Sequence, residues 1–264
     1  MVQLERIISF LNEKAPSILQ EAYDNSGLIL GNPGSIISRV LVCLDADYEA
    51  VKKAAELNCQ LVISHHPPIF RAVKVFTDET SEGRLLSLAI KNNIALYSSH
   101  TNYDSVCGGL TDQLCRKIGL FDIKVLKKSP ISPEHGFGRY GHTELVSGRE
   151  FISRIKKALD LDVVRYVGEI PDTVTLVAVF NGSYDREILH ELQEIKPDLL
   201  LTGDLKYHDA RELMEKGIFT VDAGHFGTEK HFVESMTELL RYKFPQLDIV
   251  SYEGEDVFSY HTDE

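Results

Sequence analysis

VLVCLDADYEAVKKAAELNCQLVISHH, residues 40–66, contains a complete folding unit. Residues 40–44 and 61–64 are short, unbroken apolar runs. Successive side chains of a strand point to opposite faces, so a run that is apolar at every position is a strand covered on both sides. Between them Val51, Ala54 and Ala55 recur at helical spacing. Strand, helix and strand of these lengths make a parallel crossover. The alternation continues through apolar runs at 94–98, 175–180, 199–202 and 219–222. Helical patterns separate them: Leu85, Leu86, Ala89 and Ile90; Leu110, Leu114, Cys115 and Ile118; Ile152, Ile155 and Leu159; and a long segment from Phe226. The fold class is α/β.

Residues 40–66 and 174–208 share one plan of apolar strand, acidic turn, helix, apolar strand and polar cluster. Two packed α/β domains related by internal duplication would leave a crevice between their strand ends, where α/β proteins bind ligands. The breakers Pro130, Pro133, Gly136, Gly138 and Gly141 mark residues 127–141 as a crossing between domains. The reading divides the chain into a first domain at 1–126, a second at 127–224, and a C-terminal helix and strand at 225–264 returning to the first. Ser147 followed by Glu150 has capping-box spacing, so a helix starts near Gly148.

The chain has 264 residues, 43% hydrophobic and 26% charged, enough for ample core. Its formal charge of -12 repels nucleic acid, and no basic stripe offsets it. Leu4, Ile7, Ile8, Leu11 and Ala15 form one amphipathic face, an ordinary surface helix and not a signal segment. No apolar run approaches the roughly 20 residues that span a bilayer. Cys43, Cys59, Cys107 and Cys115 form no close pair, which suits a reducing compartment and points to the cytoplasm. Asn181-Gly182-Ser183 reads as a turn after a strand.

Three strand ends carry imidazole or carboxylate: SHHPP at 64–68, HTNYD at 100–104 and GHFGTE at 224–229. Neutral His and ionised Asp or Glu are the nitrogen and oxygen ligands of divalent transition metals. Each group also has a plainer reading. His65 and His66 fit strand-end caps as well as ligands, although a strand ending at the first His would turn both rings into one pocket. Pro67 and Pro68 stiffen the exit. Asp104 fits a helix N-cap as well as a ligand, and His100 is equally open. His225 and Glu229, at i and i+4 on a helix, share one face and are ready to grip an ion.

In this order, YDNSGL at 23–28, VLVCLD at 40–45, SHHPPIF at 64–70, HTNYD at 100–104, TGDLKYH at 202–208 and DAGHFGTE at 222–229 resemble the motifs of the GTP cyclohydrolase 1 type 2 homologues. The resemblance spans residues 24–229, with Tyr23 where a tryptophan is usual. It implies the short form of that family: two packed α/β domains, a pair of metal ions between them, and a toroidal homohexamer. Matched motif by motif, the metal ligands fall on His65, His66, Asp104, His225 and Glu229.

Three imidazoles and two carboxylates fill two coordination shells only if a carboxylate bridges, and they leave positions for water; Glu229 is the first choice of bridge and Asp104 the second. Two ions about 3.5–4 Å apart suit hydrolysis of a small substrate. The nitrogen and oxygen set fits Zn, Fe, Mn or Ni. Asp45, Asp204 and His208 are candidates for supporting or catalytic roles, the last two at i and i+4 after a strand. The competing reading is a non-catalytic metal carrier. No P-loop is present, so nucleotide recognition rests on the resemblance alone.

Overall fold

The apolar runs become the strands of two sheets. The computed structural model describes residues 1–261. By contacts the described residues divide into two units, Met1–Tyr103 with Lys230–Glu255, and Asp104–Glu229 with 256–261. The breaker-rich stretch 127–141, read from sequence as a domain crossing, forms the end of a hairpin within the second unit, with its turn at 129–135. Its strands Phe121–Lys128 and Gly136–Val146 pair antiparallel.

The first unit holds a five-stranded sheet in the order Asp248–Tyr252, Arg39–Asp45, Leu61–His66, Ala95–Ser98, Gly27–Leu30. The first four run parallel and the last antiparallel. The connecting helices Tyr48–Glu56 and Ser81–Lys91 each start at a side-chain cap, where Asp47 accepts from the Ala50 amide and Thr80 from the Gly83 amide. Their faces, Ala50, Val51 and Ala54 with Leu85, Leu86 and Ala89, pack onto Leu41, Val62 and Leu96. Helix His231–Lys243 packs on strands Arg39–Asp45 and Asp248–Tyr252. The long helix expected from Phe226 is two helices, His225–Glu229 and His231–Lys243, interrupted at Lys230.

The second unit has a six-stranded sheet in the order Phe121–Lys128, Gly136–Val146, Val174–Val179, Leu199–Thr202, Thr220–Asp222, Arg165–Val167. Its Val174–Val179, Leu199–Thr202 and Thr220–Asp222 strands are mutually parallel. Val177, Val179, Leu199 and Leu201 face one core with Phe151 and Ile155 of helix Gly148–Leu159. Ala178 and Leu200 face another with Leu192 and Leu213. This two-sided burial is why those strands are apolar at every position. Helix Gly148–Leu159 starts at the predicted cap, with Ser147 accepting from the Glu150 amide.

Parallel strands bring their carboxyl ends to one edge of a sheet, and the polar clusters follow from that. In the first unit that edge carries Asp45, His65, His66 and, after Ser98, His100. In the second it carries Asn181, Asp204 and His225. All four cysteines are free thiols. Burial pushes the Cys59 thiol up to about 11 and the Cys43 and Cys115 thiols well above their usual range. No helix among the described residues is long and apolar enough to cross a membrane.

Candidate metal centre

In the first unit, strand Leu61–His66 does not stop at the first histidine but runs through both. Their ring centroids are nevertheless 5.0 Å apart, with the planes tilted by 49°. His65 is fully buried, packed on Phe232 at 5.0 Å, and its Nδ1 donates to the Ser99 carbonyl at 2.8 Å. Asp45 is the register partner of His66 on the neighbouring parallel strand. The pairing puts its carboxylate 2.7 Å from His66 Nδ1. His100 joins the same cluster, with its Nδ1 2.7 Å from Asp24 Oδ1.

Asp24 is the buried hub of the YDNSGL motif. Its Oδ2 accepts from the Ser26 hydroxyl and from both the amide and hydroxyl of Thr101. Burial opposes its ionisation, yet the hydrogen bond from His100, with the Thr101 and Asn25 donors, holds its carboxyl well below the usual carboxylate range.

In the second unit, His225 Nε2 and Glu229 Oε2 are 3.0 Å apart along one helical turn. The other nitrogen of that ring, Nδ1, is 2.8 Å from Asp204 Oδ2. Asp204 takes a left-handed backbone (φ 44), strain of the kind held in place at functional sites. Asp104 and Glu229 meet at one amide. Asn181 Nδ2 donates to Asp104 Oδ1 at 2.8 Å and to Glu229 Oε1 at 3.0 Å. The Thr111 hydroxyl donates to Asn181 Oδ1 at 2.6 Å, which fixes the amide's orientation. Gly182 lets the chain turn away at φ +68, and a Cβ there would lie 2.3 Å from Glu229 Oε1.

Four imidazoles thus share one arrangement. Nδ1 of His65, His66, His100 and His225 each faces a carbonyl or carboxylate oxygen, which accepts but cannot donate. Each Nδ1 is therefore placed to donate, which turns Nε2 into the position from which metal-binding histidines ligate. Two carboxylates on one amide nitrogen repel each other unless a cation lies between or beside them. Two donors about 2.1 Å from one ion at angles of 90–109° stand about 3.0–3.4 Å apart. The 3.0 Å separation of His225 Nε2 and Glu229 Oε2 falls in that range. The donor set fits divalent metal.

Of the residues singled out from sequence, the first unit brings together His65 and His66, and the second brings together Asp104, His225, Glu229 and Asp204. His208 is exposed on helix Tyr207–Glu215, with its ring edge-on to Tyr207 at 5.3 Å. Asn181 and Asp24 were not foreseen. A signal was available for the oriented histidines: Asp45 precedes His66 by 21 residues and Asp204 precedes His225 by 21. Both intervals hold a nine-residue helix beginning at a tyrosine, Tyr48–Glu56 and Tyr207–Glu215. The repeated device thus matches residues 40–66 with 199–225, one strand later than the 174–208 comparison read from sequence.

A family model described as Duf34/NIF3 (NGG1p interacting factor 3) matches residues 2–256. The GTP cyclohydrolase 1 type 2 homologue of Clostridium perfringens is 35% identical over 265 residues, covering 98% of this chain and 100% of the relative. Among solved structures, a Bacillus cereus protein related to NIF3 matches with a TM-score of 0.90 at 22% identity, covering 98% of this chain and 99% of that one, a likeness of fold. Reduced HcgD from Methanocaldococcus jannaschii matches at 0.82 with 30% identity, over 95% and 97% of the two chains.

Proposed function

This chain belongs to the DUF34/NIF3 family, and from that premise we propose that it is a metal-dependent hydrolase of a small, nucleotide-like substrate, holding two divalent ions through His65, His66, Asp104, His225 and Glu229. The observation that carries the reading is the shared tautomer, with every candidate imidazole tied at Nδ1 to an oxygen. One feature supports a centre of two ions: the Asp–His device occurs once in each unit.

Bound divalent ions supply Lewis acidity, polarising an electrophile and activating water near neutral pH. The protein's own task is orientation. Asp45 and Asp204 fix the rings of His66 and His225, Asn181 aims both carboxylates, and Glu229 would be one of the residues that hold the ions. The absence of thiolate from the donors suits Zn, Fe, Mn or Ni. The family pattern also supports a homohexamer, which sedimentation at micromolar concentration tests.

The deciding experiment strips the purified protein, reloads it with one metal at a time and screens nucleotides, phosphoesters and cyclic amides, starting with GTP because the relatives' name supplies it. Turnover is expected to rise in proportion to loading. Tight loading without turnover on any class rejects the hydrolase, and rapid exchange of the ions would then favour a carrier. For the acid–base step the second unit offers His208, while Asp204 is engaged in orienting His225. His208→Ala is expected to keep both ions and lower turnover by about 10²-fold; unchanged turnover removes His208 from the mechanism.

Gly182→Ala tests the carboxylate end. The added methyl meets Glu229 Oε1 at 2.3 Å, and the left-handed backbone costs about 1–2 kcal/mol for a non-glycine residue. A lower melting temperature and metal affinity weakened about 10–100-fold are expected, the loss typical of disturbing groups that orient a ligand. Paired thermal melts and metal titrations read both.

A further inference from the structure

We propose that His100 is a third imidazole donor at the His65–His66 end of the centre, held in place for that task by Asp24. The inference rests on the metal-binding reading above and adds a ligand outside its five-residue set. The three residues each offer one ligand atom, all within 4.8 Å of one another. The His100 ring centroid is 5.1 Å from that of His65 and 5.4 Å from that of His66. Two nitrogens about 2.1 Å from one ion stand at most about 4.2 Å apart, so small ring movements bring all three onto one ion.

The chemistry around His100 argues the same way. Its Nδ1 is tied to a carboxylate whose side chain has no solvent exposure, leaving Nε2 as its lone pair. Burying a carboxylate is costly unless it is fully hydrogen-bonded, and Asp24 is engaged by His100, Ser26, Thr101 and its own neighbour's amide. A ring that only filled space would need no such anchor. The result resembles the oxygen–imidazole–metal arrangement of His65 and His66 repeated a third time. Three imidazoles with an open position form a donor set used by catalytic zinc sites.

The test loads the wild-type protein, carrying isotope-labelled histidine, with NMR-active cadmium. Scalar coupling from cadmium to Nε2 of His100, as well as to Nε2 of His65 and His66, is the expected result. His100→Gln identifies the resonance by its loss. In parallel, zinc titrations of His100→Ala and Asp24→Asn are expected to show one of the two ions bound at least about 10²-fold and about 10-fold more weakly, respectively, with the other within threefold of wild type. Cadmium coupled to His65 and His66 but not to His100 overturns the proposal and leaves the five-ligand reading standing. Absence of coupling to any histidine overturns both. Because the coupling is measured on the wild-type protein, poor folding of a variant leaves the test intact.

Discussion

Glu229→Ala is expected to reduce the bound metal from two ions to at most one, and to weaken whatever remains by about 10³-fold. Glu229 is nearly fully buried, 3.0 Å from His225 Nε2 on one side and 3.0 Å from Asn181 Nδ2 on the other. Its loss therefore removes a donor and also frees the amide that aims Asp104. His65→Ala should have an effect of similar size at the other donor set, since the His65 ring is held by the Ser99 carbonyl and packed on Phe232. His190→Ala is the control. That ring is exposed, its nearest partner Glu194 lies 3.4 Å away on the same helix, and both ions should stay. Elemental analysis after dialysis, followed by chelator competition, reads all three, and equal loss from His190→Ala would end the assignment.

The melting temperature separates loss of a ligand from simple damage to the fold. Without metal, Asp104 and Glu229 are two carboxylates on one amide, so deleting one relieves repulsion and the stripped Glu229→Ala protein should melt close to stripped wild type. Only the loaded proteins should differ, because an ion that binds the native state alone stabilises it by mass action. Acid should act through the same groups. Protons compete with the ion for Nε2, so affinity falls as the medium is acidified.

How far the centre could be read from sequence depends on the distance between partners along the chain. His65 and His66 are adjacent, and His225 and Glu229 sit one helical turn apart, so local geometry alone pairs them. The strands were readable because burial on both faces leaves no polar position, and the Ser147 cap because its partner is three residues away. Asp45 and Asp204 needed the register of parallel strands, which a sequence does not print, although the repeated 21-residue interval hinted at it. Asn181 was beyond reach. Its partners Asp104 and Glu229 lie 77 and 48 residues away, and Asn-Gly after a strand has an adequate local explanation as a turn. Asp24, 76 residues before His100, was hidden for the same reason. The division into units differs from the breaker pattern because Pro and Gly mark turns of every kind, and a hairpin consumes them as readily as a linker does.

Arg139 tests whether distant packing sets the geometry of Asp104. The side chain is 1% exposed, and Nε, Nη1 and Nη2 are all engaged. Nε donates to Asp112 Oδ2 at 2.7 Å, Nη1 to the Gly136 and Gly138 carbonyls, and Nη2 to the Ser105 and Val106 carbonyls at 3.0 Å. Ser105 closes the one-turn helix Thr101–Ser105 that carries Asp104, so the guanidinium clamps the exit of that helix. Arg139→Met leaves a buried carboxylate uncompensated and four carbonyls without this donor, a loss of about 3–5 kcal/mol. For a chain of this size that is a fall of about 10 °C or more in melting temperature. Arg139→Lys should recover little, because an ammonium has three donors and cannot span the fork. Adding Asp112→Leu to Arg139→Met should restore part of the stability by removing the orphaned charge, while the carbonyls at Ser105 and Val106 stay unclamped. Metal affinity in that double variant is therefore the decisive reading. If Arg139 positions Asp104, affinity stays low after stability has partly returned; if affinity returns with stability, Arg139 serves the fold alone.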